Sequence, residues 1–339
     1  MGFILVIILS LSAVSAAGCG SEFETLFDKP VINTADNPGT GTGTTVLYWT
    51  ENNGTINRIN IDGTGRKTII TSSYIPRDIA IDTSAGRIFW AEFTGSEYQI
   101  RRVGFDGSSP WSVYSISISQ TLDCGPVSIA IDNTGGNIFW SVYSSSSGKN
   151  NIWFSAINTD TLTGTKWSNE LACAYTYSIC IDSIHGKFYF TDNSYYDIGA
   201  TIGSGNAGDV YIGELGMAKM EQQKTSLTGP SDPSVPFKGI AVDGNGGHVY
   251  YVNNVVHGTW PKNITRTDLS LQNDNNGNPW IYQGVADIQK LALDLTNRKI
   301  YWTSETDNKI YRADLDLADS NVEVFLNLDY TPTGIAIPQ

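Results

Sequence analysis

The tetrapeptide Ile79-Ala80-Ile81-Asp82, with the aromatic pair Phe89-Trp90 ending eight residues after its aspartate, is the unit that organises this chain. Four more copies keep the same spacing, and their tetrapeptides span Ile129–Asp132, Ile179–Asp182, Ile240–Asp243 and Leu291–Asp294. Their aromatic pairs are Phe139-Trp140, Tyr189-Phe190, Tyr250-Tyr251 and Tyr301-Trp302. Because β-branched and aromatic residues favour strands, each copy predicts two strands joined by a short turn.

Two incomplete copies remain at the ends of the repeat array. Tyr48-Trp49-Thr50-Glu51 has no preceding I-A-I strand, and Ile335-Ala336-Ile337 has no following aromatic strand. Each supplies what the other lacks, so the chain is expected to close as a ring of six units. The last strand would then pair with the first blade.

Further β-patterned segments follow each aromatic pair. A third strand is predicted at Ile56–Ile61 and at equivalent places in the other units, and a weaker fourth strand at segments such as Lys67–Thr71. Four strands in each of six units predict an all-β fold, a six-bladed β-propeller with four-stranded blades over residues 46–339.

The composition agrees with such a fold and limits the partners. Only 16% of the 339 residues are charged, 11% are aromatic and 34 are glycine. Acidic residues outnumber basic ones by 34 to 21, which gives a net charge of −13. Nucleic acids and anionic lipid surfaces both require a basic footprint, so neither is expected as a partner. The charge favours a neutral or basic partner.

The N-terminal segment predicts export. An apolar run from Phe3 to Val14 precedes small residues that end at Gly18, which is typical of a signal peptide over residues 1–18. Residues 19–45 are expected to form a flexible linker, and no later apolar run is long enough to span a membrane. Ala16-Ala17-Gly18-Cys19 also resembles a lipobox, so Cys19 is an alternative lipidation site. The protein would be secreted, or a cell-surface lipoprotein if Cys19 is acylated.

Tyr48–Glu51, the stretch Ile59–Arg66 (I-N-I-D-G-T-G-R) and Ile79–Asp82 together resemble the LDL-receptor class B, or YWTD, repeat. The resemblance covers about Val46 to Ile337. The pattern has drifted in blades three to five, where Phe139–Val142, Tyr189–Asp192 and Tyr250–Asn253 replace it. The resemblance implies the six-bladed propeller and an extracellular binding module, but it identifies no partner.

One aspartate opens a short turn in each complete copy: Asp82, Asp132, Asp182, Asp243 and Asp294. An aspartate in this position accepts hydrogen bonds from the backbone N–H groups just beyond it, so we expect structural turn residues. A ring of carboxylates that binds a cation is the alternative.

Loop length varies on the opposite face, which predicts a partner-binding rim. Long insertions occur at Asn193–Gly208 and Asn254–Asn263. The insertions and neighbouring crossings bring together Tyr143, Tyr175, Tyr177, Tyr195, Tyr196, His257 and Trp260. Tyrosine and tryptophan are the side chains most often found as interface anchors. The alternative is that these aromatic residues only cover loop backbone.

No catalytic site is expected from the motifs. Among the residues that enter the inner strands, Asp78 and Gln289 suit a hard cation, whereas Arg77, Lys238 and Lys290 would repel one. Six-bladed propellers do include calcium-dependent lactonases and esterases, so a calcium-dependent hydrolase remains the alternative. Neither a nucleophile elbow nor a phosphate loop is present in the sequence. We therefore expect no cofactor and no metal.

Cysteines and sequons give two further predictions. Cys124 and Cys173 occupy nearly equivalent crossings and predict a disulfide, with Cys173–Cys180 as the rival pairing and Cys180 otherwise a buried free thiol. Asn53 and Asn263 begin N-glycosylation sequons, which matter only in a eukaryotic secretory pathway.

The sequence as a whole predicts an exported, non-catalytic interaction module that binds an extracellular protein or glycan through the loop-rich rim. A structural subunit of a cell-surface assembly is a further alternative, and the oligomeric state is left open.

Overall fold

Antiparallel β-sheets arranged as the six blades of a propeller make up the computed structural model of the chain. It describes residues 45–117, 123–124, 127–144, 149–167, 176–192, 210–215, 237–253, 262–271, 280–284, 287–316 and 321–339. All of them belong to the compact unit Asn33–Gln339. Their regular structure is entirely β-strand, which confirms the predicted fold class. None of these residues forms a helix that could cross a membrane.

The strands are numbered along the chain. Blade 1 contains β1 (Val46–Glu51), β2 (Thr55–Asn60), β3 (Lys67–Thr71) and β24 (Pro332–Ala336). Blade 2 contains β4 (Pro76–Asp82), β5 (Arg87–Phe93), β6 (Glu97–Gly104) and β7 (Trp111–Ser117). Blade 3 has an inner edge of β8 (Asp123–Cys124) and β9 (Ile129–Asp132), followed by β10 (Asn137–Ser144), β11 (Lys149–Ala156) and β12 (Thr165–Lys166).

The remaining blades follow in the same order. The described strands of blade 4 are β13 (Thr176–Asp182), β14 (Lys187–Asp192) and β15 (Val210–Glu214). Blade 5 contains β16 (Phe237–Asp243), β17 (His248–Asn253), β18 (Lys262–Asp268) and β19 (Trp280–Gly284). Blade 6 contains β20 (Ile288–Asp294), β21 (Lys299–Ser304), β22 (Lys309–Asp314) and β23 (Glu323–Asn327).

The ring closes through the two ends of the repeat array, as predicted. Strand β24 pairs antiparallel with β1, and Trp49 lies opposite Ile335 in the register. Blade 1 therefore combines the last strand of the chain with its first three. This closure completes the four strands of blade 1, which explains why the first and last copies of the repeat can each be incomplete.

The aromatic pairs hold neighbouring blades together, because adjacent residues in a strand point to opposite faces of the sheet. In blade 2, Phe89 packs towards blade 3 and Trp90 towards blade 1. Tyr301 and Trp302 divide in the same way between blades 1 and 5. Each of the six apolar clusters thus joins two adjacent blades, and the largest fully buried side chains include Trp49, Trp90, Trp140 and Trp302.

Buried glutamates accept hydrogen bonds from the tryptophans of two aromatic pairs. The indole Nε1 of Trp49 donates to Glu51 Oε1 and that of Trp90 to Glu92 Oε2, both at 2.7 Å. The partners are two residues apart on a strand and therefore lie on the same face of the sheet. Ser72 also donates to Glu92, so this carboxylate ties blade 1 to blade 2.

Candidate functional site

The propeller has two different faces, and the direction of the inner strands defines them. We call one the crossing face, because it carries the inter-blade crossings such as 72–75 and 328–331 and the β1–β2 turn at 52–54. Inner strands run from this face to the turn face, where each ends at the aspartate that opens a turn. The crossing face is the face to which the sequence analysis assigned the binding rim.

The five repeated aspartates make local hydrogen bonds at the turn face. Asp82 Oδ1 accepts from the backbone N–H groups of Ser84 and Ala85 at 3.0 and 3.2 Å. Asp132, Asp182, Asp243 and Asp294 accept equivalent backbone bonds within their own turns. The same carboxylates also accept hydrogen bonds from the side chains of Arg87, Ser183, His185, Asn297 and Arg298. These carboxylates are engaged in shaping the turns and joining neighbouring blades.

A cavity of about 380 Å³ runs along the propeller axis and is lined at the turn face by Ser183, Ile184, Gly244 and Asn245. Deeper in, isoleucine, alanine, valine and leucine side chains of the inner strands form its wall. Cys180, a free thiol in the structure, also lines the cavity, and burial raises the pKa of this thiol. The wall is therefore apolar and its cysteine is held in the protonated form.

The Lys290 side chain lies across the propeller axis at the crossing face. Its ammonium lies 3.1 Å from Asp78 Oδ2 and donates to the Tyr177 carbonyl oxygen at 2.8 Å. The same ammonium is 4.7 Å from the centroid of the Tyr177 ring. Because these residues come from blades 6, 2 and 4, one lysine side chain spans the ring and joins three blades.

Further hydrogen bonds extend this network around the axis. Asp78 Oδ2 also accepts from Ser128 Oγ at 2.7 Å, and Ser128 Oγ accepts from the backbone of β13. Tyr177 donates its hydroxyl to Gln289, whose amide donates to the carboxylates of Asp287 and Glu305 at 2.7 Å. We call Asp78, Ser128, Tyr177, Gln289 and Lys290 the axial network.

The axial network engages the residues that the sequence singled out as cation ligands. Asp78 is neutralised by an internal cation, Lys290, and Gln289 bonds to protein groups on both sides. Lys238, the other predicted repelling charge, pairs with Asp287 at 3.1 Å. Within the described part of the chain, no group of three or more histidine, cysteine, aspartate or glutamate side chains is arranged to hold a metal ion.

A shallow pit of about 210 Å³ lies over the axial network at the crossing face, and Arg77, Glu305 and Thr333 contribute to its wall. Beside it, three large side chains of the crossings on either side of blade 1 are exposed: Tyr74, Ile75 and Tyr330. We call these three residues the blade 1 patch.

Backbone hydrogen bonds fix the two crossings that carry the blade 1 patch. The N–H of Asn52 donates to the Thr331 carbonyl at 2.9 Å, and the N–H of Ser72 donates to the Gly54 carbonyl at 2.8 Å. Both crossings are thereby attached to the same β1–β2 turn. A Cβ on Gly54 would lie 2.3 Å from the Ser72 carbonyl oxygen, so this close approach requires glycine.

Of the predicted rim, the structure places Tyr177 at the centre of the crossing face, half-buried within the axial network. Strand β10 carries Tyr143 and pairs with β8 at Cys124, but the side chains of both residues lie outside the described part. The same holds for the Asn263 side chain. Cys19, Cys173, Tyr175, Tyr195, Tyr196, His257 and Trp260 lie outside the described residues altogether.

The blade 1 patch was not predicted, because its crossings are short and carry no insertion. A signal was nevertheless present in Tyr74-Ile75-Pro76 and Tyr330-Thr331-Pro332, since both place a tyrosine two residues before the proline that begins an inner strand. Asn53, in the turn between them, is exposed, and its Oδ1 accepts from the Thr55 backbone and hydroxyl.

Comparison with known proteins supports the fold and leaves the family open. No protein-family model matches the chain. Protein cueball of Drosophila virilis is 42% identical over 67 residues, 18% of this chain and 10% of the relative, and that of Drosophila grimshawi is 40% identical over 67 residues. The matched segments thus span about a tenth of these relatives.

Solved structures match over far more of the chain. A chain in the crystal structure of a nidogen/laminin complex matches 88% of this protein over 99% of its own length, with a TM-score of 0.65 and 15% identity. TolB from Acinetobacter baumannii matches 87% of this chain over 66% of its own length, with a TM-score of 0.62 and 12% identity. The chain therefore has the propeller fold of these proteins.

Proposed function

We propose that the chain is an exported, non-catalytic interaction module whose crossing face binds an extracellular protein. The observation that carries this proposal is the blade 1 patch, an exposed group of two tyrosines and an isoleucine beside the pit that lies over the axial network. Tyrosine supplies a large apolar area with a polar tip, and it is enriched at interfaces for that reason. The fixed crossings keep the ordering cost of binding low.

The comparisons support a protein as the partner. The nidogen/laminin structure contains a complex, and its matching chain has the same fold over almost its whole length. At 15% identity the likeness concerns the fold alone, so laminin itself is not carried over. The net charge of −13 favours a neutral or basic surface on the partner. The rim residues predicted from the sequence would extend the contact area.

The proposal of a binding rather than a catalytic role rests on the axial network. A hydrolytic calcium site needs free carboxylates at the channel mouth, whereas the Asp78 carboxylate is bound to the ammonium of Lys290. The competing hydrolase hypothesis predicts calcium binding and EDTA-sensitive turnover of lactones or aryl esters by the purified protein. Either result would overturn the non-catalytic assignment.

A structural-subunit role predicts large assemblies, which light scattering would detect.

The test of the binding face is a quantitative capture experiment with native extracellular material. A variant with Tyr74→Ala, Ile75→Ser and Tyr330→Ala should lose the proteins that the wild type retains, with its thermal unfolding nearly unchanged because all three side chains are exposed. Ile184→Ala, which removes an exposed side chain at the turn face, is the matched control and should retain them. An unchanged capture pattern in the triple variant would refute this face as the binding site.

A further inference from the structure

Trp111 is an unusual tryptophan in this protein. It is 57% exposed, whereas the tryptophans of the aromatic pairs are fully buried. It begins β7, the outermost strand of blade 2, just after the β6–β7 turn on the turn-face side. Trp111 lines a cavity of about 300 Å³ together with Arg102, Ser109, Pro110 and Asp160. We call this cavity the Trp111 pocket.

The pocket brings charged groups next to the indole. Arg102 lies directly opposite Trp111 in the β6–β7 register, so both side chains project from the same face of the sheet. Arg102 Nη2 donates to Asp160 Oδ1 at 2.6 Å, across the boundary between blades 2 and 3. The Asp160 side chain is 88% exposed, which leaves its carboxylate room to accept further hydrogen bonds.

The walls of the pocket are held in place from both blades. The N–H of Leu162 donates to the Val113 carbonyl at 2.7 Å and ties the Asp160 loop to β7. Ser109 has a φ of 51°, the left-handed region that a residue other than glycine adopts at a cost. Gly65 and Asn321 have a positive φ at the equivalent position in blades 1 and 6, so this conformation belongs to the turn that places Pro110 and Trp111 in the wall.

A comparison among the blades shows that the fold does not require an aromatic residue here. Arg58, Arg102, Arg266 and Arg312 are equivalent, since each pairs with the first residue of an aromatic pair. In blade 6 the residue opposite the arginine is Glu323, which accepts from Arg312 at 2.6 Å, and in blade 1 it is Lys67. Arg312 also donates to the next blade, at the Ile61 carbonyl oxygen, so the feature that distinguishes blade 2 from blades 1 and 6 is the tryptophan opposite the arginine.

We propose that the Trp111 pocket binds a pyranose residue of a neutral glycan. The apolar C–H face of a sugar ring would lie on the exposed indole, while Asp160 and Arg102 would hydrogen-bond its hydroxyl groups. An apolar platform flanked by a few fixed polar groups is the usual form of a small-molecule site. The charges of Arg102 and Asp160 are paired with each other, so the pocket offers hydrogen-bond donors and acceptors to a neutral ligand but carries no net charge. The site lies away from the crossing face and does not depend on the function proposed for it.

Saturation-transfer NMR on the full chain tests the proposal, with the methyl glycosides of glucose, galactose, mannose and N-acetylglucosamine as probes. We expect saturation transfer to the ring protons of at least one glycoside, about tenfold weaker binding for Trp111→Ala, and a smaller loss for Trp111→Phe, which keeps an aromatic face. Val324→Ala, which shortens an exposed apolar side chain on the outer strand β23 of blade 6, should bind as the wild type does.

Asp160→Ala provides a second readout that does not depend on Trp111 being dispensable for folding, since its side chain is exposed. It should also weaken binding, with an unchanged thermal unfolding temperature. The proposal would be overturned if none of the four glycosides showed saturation transfer. It would also be overturned if Trp111→Ala and Asp160→Ala both bound a glycoside as strongly as the wild type does.

Discussion

The axial network gives the sharpest stability prediction, because Lys290 joins three blades through one ammonium group. The side chains of Lys290 and Asp78 are only 6% and 8% exposed, so water screens their attraction little. At 3.1 Å and an effective dielectric constant of ~20, two unit charges attract by about 5 kcal/mol. Lys290→Met removes the charge, retains most of the side-chain volume and leaves the Asp78 carboxylate buried without its counter-ion.

We expect Lys290→Met to lower the free energy of unfolding by about 3–5 kcal/mol, the usual cost of leaving one partner of a buried pair uncompensated. Adding Asp78→Asn removes the orphaned charge and retains an acceptor for Ser128, so the double variant should recover to within about 1–2 kcal/mol of the wild type. The measurement is urea-induced unfolding followed by tryptophan fluorescence, with midpoint and slope compared across the variants.

Lys187→Met is the matched control, since Lys187 pairs with Glu214 at 3.2 Å but both side chains lie at the surface. Its removal should cost about 0–1 kcal/mol. If Lys290→Met costs no more than Lys187→Met, or if the double variant is less stable than the single one, then the buried pair does not hold the blades together and the reasoning fails.

Three further variants test other parts of the structure. Trp302→Ala should lower the free energy of unfolding by about 3–5 kcal/mol, because its fully buried ring fills the boundary between blades 5 and 6; a loss below about 1 kcal/mol in urea unfolding would contradict this. Gly239→Ala should be similarly damaging, because the added Cβ would lie 2.8–2.9 Å from backbone atoms of β20; an unchanged thermal unfolding temperature would contradict it. Arg298 lowers the pKa of Asp316 from its ordinary value of 3.8, so the Arg298–Asp316 pair stabilises the protein above that pH and the effect is lost as pH falls through the lowered pKa. The stability difference between the wild type and Arg298→Met should therefore be larger at neutral pH than at strongly acidic pH, and the opposite trend would contradict the assignment.

The fold could be predicted because the same pattern recurs. A single I-A-I-D strand with an aromatic pair is ambiguous, but five copies at constant spacing and two complementary fragments at the ends admit only a closed ring. The aromatic pairs supply the contacts between blades, since neighbouring positions such as Phe89 and Trp90 point to opposite sheet faces. Because the pattern recurs at constant spacing, the ambiguity of any single segment does not affect the fold assignment.

The candidate sites could be predicted only in part, because they lie where the repeat is broken. The sequence named Asp78, Gln289 and Lys290 as residues entering the inner strands, but it could not show that Lys290 reaches across the axis to Asp78. That pairing depends on which blades face each other in the closed ring. Trp111 was missed for a similar reason, since only the strand register shows that it lies opposite Arg102, one of the arginines that recur in equivalent positions.

The most direct test of the central claim is hydrogen–deuterium exchange of the full chain with and without a protein captured by the wild type and lost by the blade 1 patch variant. We expect slower exchange on binding in the crossings 72–75 and 328–331, with the inner turns 183–186 and 244–247 unchanged. Protection confined to the inner turns of the turn face, with both crossings unaffected, would contradict it.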